Sequence, residues 1–433
     1  MRLTFYGGAQ EVGRACMLLE EGERNLVLDC GIKLGEKTEY PLIHDDELRR
    51  VGSMAVSHAH LDHSGYLPHV YARKAKPKIF LTKPTRDLMG VLLADYYRIH
   101  HGEREQRKLF SSKDVDGVMK DANIVEYEEP TKAGFWLRFL SAGHIMGSAM
   151  ALVEDRDKRV LFSGDICMRK TRVLDPCVRG VPADTLLMES TYGSKSDLVP
   201  SFKESYQKMI SIINETLDKG GHVVIPSFAV GRAQEVLLAL DDYMRSGALA
   251  PTKIFIDGMI TKAMKIYRHN AIYANDDIKR RILMSEDDPF KSPNFHAPRS
   301  KTKEDVLKEP SIIVTTSGML TGGPVLTYLD KLGSDPANSL IFVGYQAEGT
   351  PGRRILSGER KLVVRDKTID INMRVESVRL TGHADFNELV QFAKSVKGLK
   401  TIYLMHGEKT DLKDALERDY DVVVPKLLET YSL

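Results

Sequence analysis

Six consecutive residues, 58–63, hold three of the chain's 13 histidines and one aspartate. They read HAHLDH and follow the apolar run at 54–56, so a strand is predicted to end just before them. Side chains of a tight turn at a strand end can converge on one point. Neutral imidazole and carboxylate suit a borderline ion such as zinc. The stretch therefore predicts a metal site.

Other predicted strands end in residues of the same chemistry. His144 and Asp165 each follow an apolar run, and His406 ends the run that begins at 401. A carboxylate such as Asp165 can bridge two ions. With the first motif these residues make seven candidate ligands, enough for two cations that share one carboxylate: His58, His60, Asp62, His63, His144, Asp165 and His406.

Length and composition limit the kind of protein that carries this site. A chain of 433 residues is too long for one ordinary core, so two compact units are expected. Lys and Arg number 62 against 60 Asp and Glu, so any nucleic-acid contact must come from a local basic cleft. Four cysteines without CxxC spacing, no signal-like start and no long apolar run predict a cytoplasmic protein without membrane contact.

The elements that must position the candidate ligands change in type along the chain. Short β-type runs fill the first 60 residues, and a helix with a charged tail is predicted over 83–109. Strands return between 136 and 189. From Ser201 a capping box, SFKE, opens a helical stripe, after which strands and helices alternate. That alternation predicts βαβ units, hence a second α/β domain with a mostly parallel sheet.

The set formed by Asp29, HAHLDH at 58–63, His144 and Asp165 resembles the metallo-β-lactamase superfamily. The resemblance implies an αββα sandwich with a two-metal site at one edge of its sheets. HxHxDH by itself is shared by glyoxalases, lactamases, phosphodiesterases and flavodiiron-type proteins. It therefore predicts the fold but does not identify the substrate.

Later motifs narrow the resemblance to the β-CASP nucleases. Glu189 in MESTYG, His383 in LTGHAD and His406 in MHGE are similar to the three motifs that mark this group. Five further stretches are similar to the nuclease subunit of the cleavage and polyadenylation specificity factor and its archaeal relatives: GGAQEVGR, PSFAVGRAQE, TTSGML, GYQAEGTPGR and TGHAD.

The resemblance also implies a domain plan. A first part of the metallo-β-lactamase domain is expected at 1–196, an inserted α/β β-CASP domain at 197–357, and the second part at 358–433. Many archaeal members carry RNA-binding KH domains first, whereas here the first predicted strand begins at Arg2. The apolar-rich tail at 421–433 is expected to dock between protomers of a homodimer.

Residue roles follow from the resemblance position by position. One zinc ion is expected on His58, His60, His144 and Asp165. The other is expected on Asp62, His63, Asp165 and His406. Asp29 would orient a ligand histidine. Asp62 would orient the attacking water, and His383 would act as general acid, with Glu189 as its orienting partner.

The inserted domain is expected to bind the substrate. Backbone amides of Ser317, Gly318 and Met319 could cradle a phosphate in a glycine-containing turn, and Arg232 could contact another at a helix start. A cleft between the two domains would select an extended single strand over small esters. RNA is expected rather than DNA by resemblance alone.

Together these features predict a zinc-dependent ribonuclease that hydrolyses phosphodiester bonds of single-stranded RNA during RNA processing or decay. Other proteins of RNA processing or decay are expected as partners. Internal cleavage and 5′→3′ trimming are both open, since the ions do the same chemistry in each. One alternative is a non-catalytic RNA-binding subunit, which the intact ligand set opposes. Another is a hydrolase of small esters or nucleotides, which the inserted domain, His383 and His406 oppose.

Overall fold

The computed structural model describes residues 1–35, 37–100, 109–285, 287–300, 302–364, 367–408 and 411–433. The chain divides into two compact units. The first unit comprises Met1–Lys170, Leu174–Leu198 and His383–Leu433, and the second comprises Thr171–Val173 and Val199–Gly382. The expectation of two units from chain length is thereby confirmed.

The described part of residues 1–198 contains the first strands and helices. The strands are β1 (Arg2–Gly7), β2 (Cys16–Glu21), β3 (Arg24–Leu28), β4 (Ser53–Ala55), β5 (Lys78–Leu81), β6 (Ala122–Ile124), β7 (Thr131–Ala133), β8 (Phe135–Ser141), β9 (Ala149–Asp155), β10 (Lys158–Phe162) and β11 (Thr185–Glu189). The helices are α1 (Asp45–Leu48), α2 (Leu61–Ser64), α3 (Leu67–Ala72), α4 (Lys83–His100) and α5 (Ser112–Asp121). The charged run at 101–108 lies outside the described residues.

The remaining elements follow from residue 199. The strands are β12 (Val223–Pro226), β13 (Ile254–Asp257), β14 (Phe295–His296), β15 (Ile312–Thr315), β16 (Ser339–Phe342), β17 (Lys361–Val364), β18 (Lys367–Asp370), β19 (Arg374–Ser377), β20 (Thr401–Met405), β21 (Asp421–Val423) and β22 (Thr430–Ser432). The helices are α6 (Phe202–Asp218), α7 (Arg232–Arg245), α8 (Ile260–His269), α9 (Asp276–Met284), α10 (Val325–Leu332), α11 (Pro351–Leu356), α12 (Phe386–Ser395) and α13 (Asp411–Leu416). Single 3-10 turns lie at Ala271–Tyr273 and Pro289–Lys291.

Two seven-stranded sheets form the centre of the first unit. One has the order β22-β1-β2-β3-β4-β5-β6, and the other has the order β21-β20-β11-β10-β9-β8-β7. Alternate residues of β1 and β8, such as Phe5 and Phe139, share one buried apolar cluster, so the sheets pack face to face. Each fully buried phenylalanine contributes about 1.5–3 kcal/mol. This cluster is the inner core of the sandwich.

Helices cover the outer faces of both sheets. On the second sheet, Leu161 and Leu186 share a buried cluster with Phe392 of α12. On the first sheet, α5 packs against β5 and α4 against β6. Helix α12 begins at a capping box in which the Asp385 side chain accepts from Glu388 N at 3.1 Å. The layers are helix, sheet, sheet, helix, which confirms the αββα prediction.

The second unit is built on a six-stranded sheet with the order β14-β13-β15-β12-β16-β19. Every neighbouring pair in it is parallel, which confirms the predicted βαβ pattern. The capping box predicted at Ser201 is confirmed, since its side chain accepts a hydrogen bond from Glu204 N at 3.2 Å. Of the predicted stripe, Tyr206, Met209 and Ile213 are buried.

Strand pairing places the end of the second unit later than the sequence-based plan does. Strand β19 pairs with β16, from Ser339↔Arg374 to Phe342↔Ser377, and the hairpin β17–β18 precedes it. Residues 358–382 therefore belong to the second unit by contacts. The domain boundaries expected after residues 196 and 357 stay a prediction.

The C-terminal tail pairs within its own chain. Strand β22 is antiparallel to β1, with Leu3 opposite Tyr431. The Tyr431 ring lies 6.0 Å from that of Phe5 and 5.2 Å from that of Tyr403. Strand β22 is the outermost strand of its sheet, and docking of this tail between protomers stays a prediction. The homodimer itself stays a prediction.

Across the described residues, the helices are each too short or too polar to cross a membrane. The cytoplasmic location stays a prediction.

A buried histidine in the first unit makes stability depend on pH. His69 of α3 has no accessible surface, and neither ring nitrogen has a hydrogen-bond partner among the described residues. Its ring stacks on Tyr66 at 4.7 Å, with Tyr40 at 4.8 Å and Phe110 at 4.7 Å. Burial, helped by the positive charge of Arg73, lowers the pKa of His69 to about 3. The ring is therefore neutral in the folded protein.

We expect His69 to destabilise the fold in mild acid. Below its ordinary pKa of 6.5, the unfolded chain binds a proton that the folded chain rejects until about pH 3. Between pH 7 and pH 5 this residue should lower the free energy of unfolding by about 2 kcal/mol. His69→Phe should remove that loss in urea titrations at both pH values, whereas the exposed control His269→Gln should keep it. Equal losses in wild type and His69→Phe would contradict the assignment.

Candidate metal centre

The candidate ligands meet because the strands that precede them end at one edge. Strands β10, β11 and β20 are parallel neighbours, so their carboxyl ends lie side by side. Asp165 follows β10, Glu189 ends β11, and His406 follows β20 directly. In the first sheet β3 and β4 are also parallel, and they lead into Asp29 and His58. All seven predicted ligands are brought together in the first unit.

Three histidines form the first group of nitrogen atoms. His58 Nε2 lies 3.1 Å from His60 Nδ1, and His60 Nδ1 lies 3.3 Å from His144 Nε2. One oxygen of Asp165, Oδ2, lies 3.6 Å from His58 Nε2 and 3.7 Å from His144 Nε2. Three imidazole nitrogens and one carboxylate oxygen around a point match the donor number and type of a tetrahedral zinc site.

The second group contains the other carboxylate of the motif. His406 Nε2 lies 3.4 Å and His63 Nε2 lies 3.9 Å from Asp62 Oδ2. The second oxygen of Asp165, Oδ1, lies 3.4 Å from His63 Nε2 and 3.5 Å from His406 Nδ1. Asp165 thus turns one oxygen to each group, which is the arrangement that a shared carboxylate requires.

Buried atoms without partners test whether these residues fit a cation. Among the described residues, His63 Nε2, Asp165 Oδ1 and His406 Nε2 are buried and have no hydrogen-bond partner. Buried polar atoms nearly always have one. All three belong to the donor groups described above and are nitrogen or carboxylate oxygen atoms, the kinds of atom that bind a divalent cation. The residues present fit a bound metal.

Electrostatics keep the carboxylates of the centre ionised. Burial by itself would raise the pKa of Asp165, but the imidazoles of His63, His406 and His383 hold it well below its ordinary value. The pKa of Asp62 is lowered in the same way, by His63 and His406 against burial. Burial lowers the pKa of His58, which is therefore neutral and able to donate its lone pair. Anionic oxygens and neutral imidazole are the forms that bind metals.

Asp29 contacts His63 and Ser57. Its Oδ2 lies 2.6 Å from His63 Nδ1, and its two oxygens accept from Ser57 N at 2.6 Å and Ser57 Oγ at 2.7 Å. A carboxylate on Nδ1 leaves Nε2 with its lone pair toward Asp165. The geometry matches the orienting role predicted for Asp29, and the role itself stays a prediction.

A second carboxylate–histidine pair lies beside the ligands. His383 Nδ1 lies 2.9 Å from Glu189 Oε2 and 3.9 Å from Asp165 Oδ2. Burial would lower the pKa of His383, but the charges of Glu189 and Asp165 outweigh it and raise the pKa to about 9. Glu189 also accepts from Ile166 N at 2.6 Å, and it ends strand β11 rather than capping a helix. The pair is therefore built to hold a proton on the imidazole.

Sequence reasoning missed residues that support these side chains. Thr191 Oγ1 donates to Glu189 Oε2 at 2.7 Å and lies 3.2 Å from His406 Nδ1. It therefore connects the Glu189–His383 pair to the second donor group. At Gly31 a Cβ would lie 1.7 Å from Asp62 O, which only glycine allows. Thr191 lies in the quoted motif MESTYG, and Gly31 follows Asp29 by two positions. Proximity to a motif is the only signal that could have found either.

The predicted substrate-binding residues belong to the second unit. Arg232 is the first residue of α7, after Gly231. In the turn after β15, Ser317 N donates to Gly322 O at 3.2 Å. That amide is already engaged, so the predicted phosphate cradle is left with the amides of Gly318 and Met319. The carbonyl of Gly318 accepts from Gln346 Nε2 at 2.9 Å, which fixes the turn. Binding of substrate here stays a prediction.

Three family models match successive parts of the chain. Residues 10–211 match the metallo-beta-lactamase superfamily, and residues 233–355 match the Beta-Casp domain. Residues 368–425 match the Zn-dependent metallo-hydrolase RNA specificity domain. The resemblance predicted from the motifs is confirmed.

Two archaeal proteins and one solved structure are among those similar to this chain. A transcription termination factor FttA of Methanothermobacter thermautotrophicus is 38% identical over 458 aligned residues, which cover 100% of this chain and 72% of that protein. An RNase J-like protein of Methanocaldococcus jannaschii is 36% identical over 412 residues, covering 94% and 92%. A crystal structure of a protein of unknown function from Enterococcus faecalis V583 has a TM-score of 0.62 at 14% identity, covering 100% and 99% of the two chains. The last likeness shows the fold alone.

We expect Gly31→Ala to disrupt the metal centre. The added Cβ would also lie 2.0 Å from Asp62 C and 2.5 Å from His63 N, so the motif's backbone must shift. After dialysis against zinc, the zinc content of Gly31→Ala should be at least one ion per chain lower than that of wild type. Gly52→Ala is the matched control, because its Cβ would meet only Asn25 Oδ1 at 3.5 Å. Wild-type metal content in Gly31→Ala would show that the turn tolerates the displacement.

Proposed function

The chain belongs to the β-CASP group of the metallo-β-lactamase superfamily, and from that premise we propose that it is a zinc-dependent ribonuclease. The reaction is hydrolysis of phosphodiester bonds in single-stranded RNA, by internal cleavage, by 5′→3′ trimming or by both. Each cut would leave a 5′-phosphate. The proposal goes beyond family membership in naming the metal, the substrate and the residues.

One observation carries the proposal: seven donor side chains face one another, and three buried atoms among them lack any partner in the described structure. We assign one zinc ion to His58, His60, His144 and Asp165. We assign the other to Asp62, His63, His406 and Asp165. The shared carboxylate, with one oxygen toward each group, is the reason for proposing two ions rather than one.

The chain's residues would divide the work of the reaction. Bound divalent ions supply hydroxide at neutral pH and offset charge on the phosphoryl oxygens. Asp62, rather than Asp165, would orient the attacking water, because water can reach its side chain. The Asp62 side chain is 34% exposed and that of Asp165 is 2% exposed. A bond forms between the water oxygen and phosphorus, and the bond between phosphorus and the ribose O3′ breaks.

His383 would protonate the leaving oxygen. Glu189 Oε2 lies 2.9 Å from its Nδ1 and raises its pKa, which favours a proton on the ring, while the side chain stays 18% exposed. The other ring nitrogen can then give its proton to O3′ as the bond breaks. Glu189 takes part through His383 and is therefore a positioning residue.

RNA as the substrate rests on two supports. The part at 368–425 matches a domain described by RNA specificity, and one relative is described as RNase J-like and another as a transcription termination factor. In the second unit, Arg232 and the amides of Gly318 and Met319 would contact phosphates. Phosphate contacts position a strand without reading its sequence, so broad sequence tolerance is expected.

We expect metal-loaded protein to cut single-stranded RNA labelled at the 5′ or 3′ end into products with 5′-phosphates. Zinc analysis should give about two ions per chain, in line with the two donor groups. Asp62→Asn should abolish cleavage and lower the zinc content, whereas the exposed control His269→Gln should cleave like wild type. Firm RNA retention without cleavage by wild type would favour a non-catalytic RNA-binding subunit. Turnover of nucleotide esters without RNA cleavage would favour a small-ester hydrolase.

A sulfur substitution isolates the proposed role of His383. His383→Gln should slow cleavage of ordinary RNA by about 10²–10⁴-fold, because the leaving oxygen no longer receives a proton. RNA with sulfur in place of the bridging O3′ has a leaving group that needs no acid, so the same variant should cut it at nearly the wild-type rate. Equal slowing on both substrates would assign His383 to structure or metal binding instead.

A further inference from the structure

The loop between β1 and β2, residues 8–15, touches the backbone of two candidate ligands, and we call it the support loop. Gly8 O accepts a hydrogen bond from His406 N at 2.7 Å. Ala15 N donates to Asp62 O at 2.8 Å. Both ligands belong to the second donor group. The support loop therefore fixes the backbone from which that group projects.

The first donor group is held by other means. His144 N donates to Ser148 Oγ at 3.1 Å, and His60 O accepts from His63 N at 3.0 Å. The two hydrogen bonds from the support loop described above both go to ligands of the second donor group, Asp62 and His406. A change in the loop should therefore act on one donor group and spare the other.

The support loop has a backbone shape that needs reinforcement. Gln10 and Arg14 have φ angles of 57° and 40°, in the left-handed region that side chains other than glycine disfavour. Such conformations persist where surrounding contacts over-determine them, and they gather near functional sites. Glu11, which follows Gln10, makes such contacts.

Glu11 and Arg14 form an ion pair inside the loop. Glu11 Oε1 accepts from Arg14 Nε at 2.7 Å and from Gly8 N at 3.3 Å. Arg14 Nη1 donates to Tyr40 O at 3.0 Å, and Lys33 Nζ lies 3.4 Å from Glu11 Oε2. Glu11 is 8% exposed and Arg14 is 9% exposed, so water screens this pair little. The Glu11 carboxylate thus contacts both ends of the support loop. At one end is Gly8, whose carbonyl bonds His406 N, and at the other is Arg14, which precedes the residue that bonds Asp62 O.

We propose that the Glu11–Arg14 pair is a positioning device for the second metal ion, an inference that rests on the proposed function. The polar contacts of the pair described above are with Gly8, Lys33 and Tyr40, none of which is a candidate ligand. It acts by keeping Gly8 O and Ala15 N at the spacing that aims His406 and Asp62 at a common point. Its removal weakens the ion held by Asp62, His63 and His406 and spares the ion held by His58, His60 and His144.

Zinc titration of the full chain against a competing chelator tests the inference. In wild type two binding steps are expected. Glu11→Gln keeps the size of the side chain and removes its charge, so it should weaken the second step about 10-fold or more, as loss of outer contacts to metal ligands does. The first step should change by less than about 2-fold. Anomalous scattering at the zinc edge from crystals at limiting zinc should place the remaining ion on His58, His60 and His144.

Two further variants separate positioning from general stability. Arg14→Lys keeps the charge but loses the planar fork that reaches both Glu11 and Tyr40, so the same step should weaken by a smaller factor. Asp155→Asn is the matched control. It makes the same acid-to-amide change in a two-bond ion pair with Arg24, at 2.6 and 2.9 Å, in the same unit. Both zinc steps should stay as in wild type.

Two outcomes overturn the inference. Equal weakening of both steps, or of neither, in Glu11→Gln would show that the pair does not act selectively. Loss of cooperative unfolding, followed by circular dichroism, in both Glu11→Gln and Arg14→Lys would assign the pair to the fold. A wild type that binds fewer than two zinc ions would instead count against the proposed function, and it is recognised before any variant is made.

Discussion

The buried carboxylate of Asp165 is the constraint on which the first unit depends. It is 2% exposed, and one of its oxygens has no hydrogen-bond partner among the described residues. Moving an ionised carboxylate from water into a protein costs several kcal/mol unless positive charge lies beside it. The imidazoles around it can supply that charge in two ways, by binding protons or by jointly holding cations. The donor geometry favours cations, because each oxygen of Asp165 faces a separate group of nitrogens.

The sandwich supplies the rigidity that this arrangement needs. The apolar cluster between the sheets includes Phe5 of β1 and Phe162 of β10, so strands from both sheets are locked in register behind the centre. Ligands then follow strand ends rather than long loops, and parallel neighbours deliver them to one edge. Placement on strands holds donor atoms more tightly than placement on mobile connections would.

Backbone groups and small residues do much of the positioning. Gly31 allows the motif's main chain to approach closely, Ser57 holds Asp29, and Thr191 joins Glu189 to His406. The support loop adds main-chain hydrogen bonds to Asp62 and His406. These groups explain why glycines and hydroxyl residues surround the motifs in the sequence. A centre that must keep anionic oxygens close together needs neighbours that take little space and offer hydrogen bonds.

The sequence by itself determined which residues could bind metal and the alternation that makes the second sheet parallel, because residue chemistry and periodicity are local properties. The αββα class followed from the resemblance of its motifs to a known superfamily. The sequence also predicted the capping box at Ser201, which depends on four adjacent residues. Only the tertiary structure decided how Asp165 divides its oxygens, that Ser317 N is already engaged, that residues 358–382 pair into the second unit, and that the C-terminal tail completes the chain's own sheet. The position of the support loop against Asp62 and His406, and the contact of Thr191 with His406, were likewise invisible, because they join residues far apart in the chain and no local pattern encodes that.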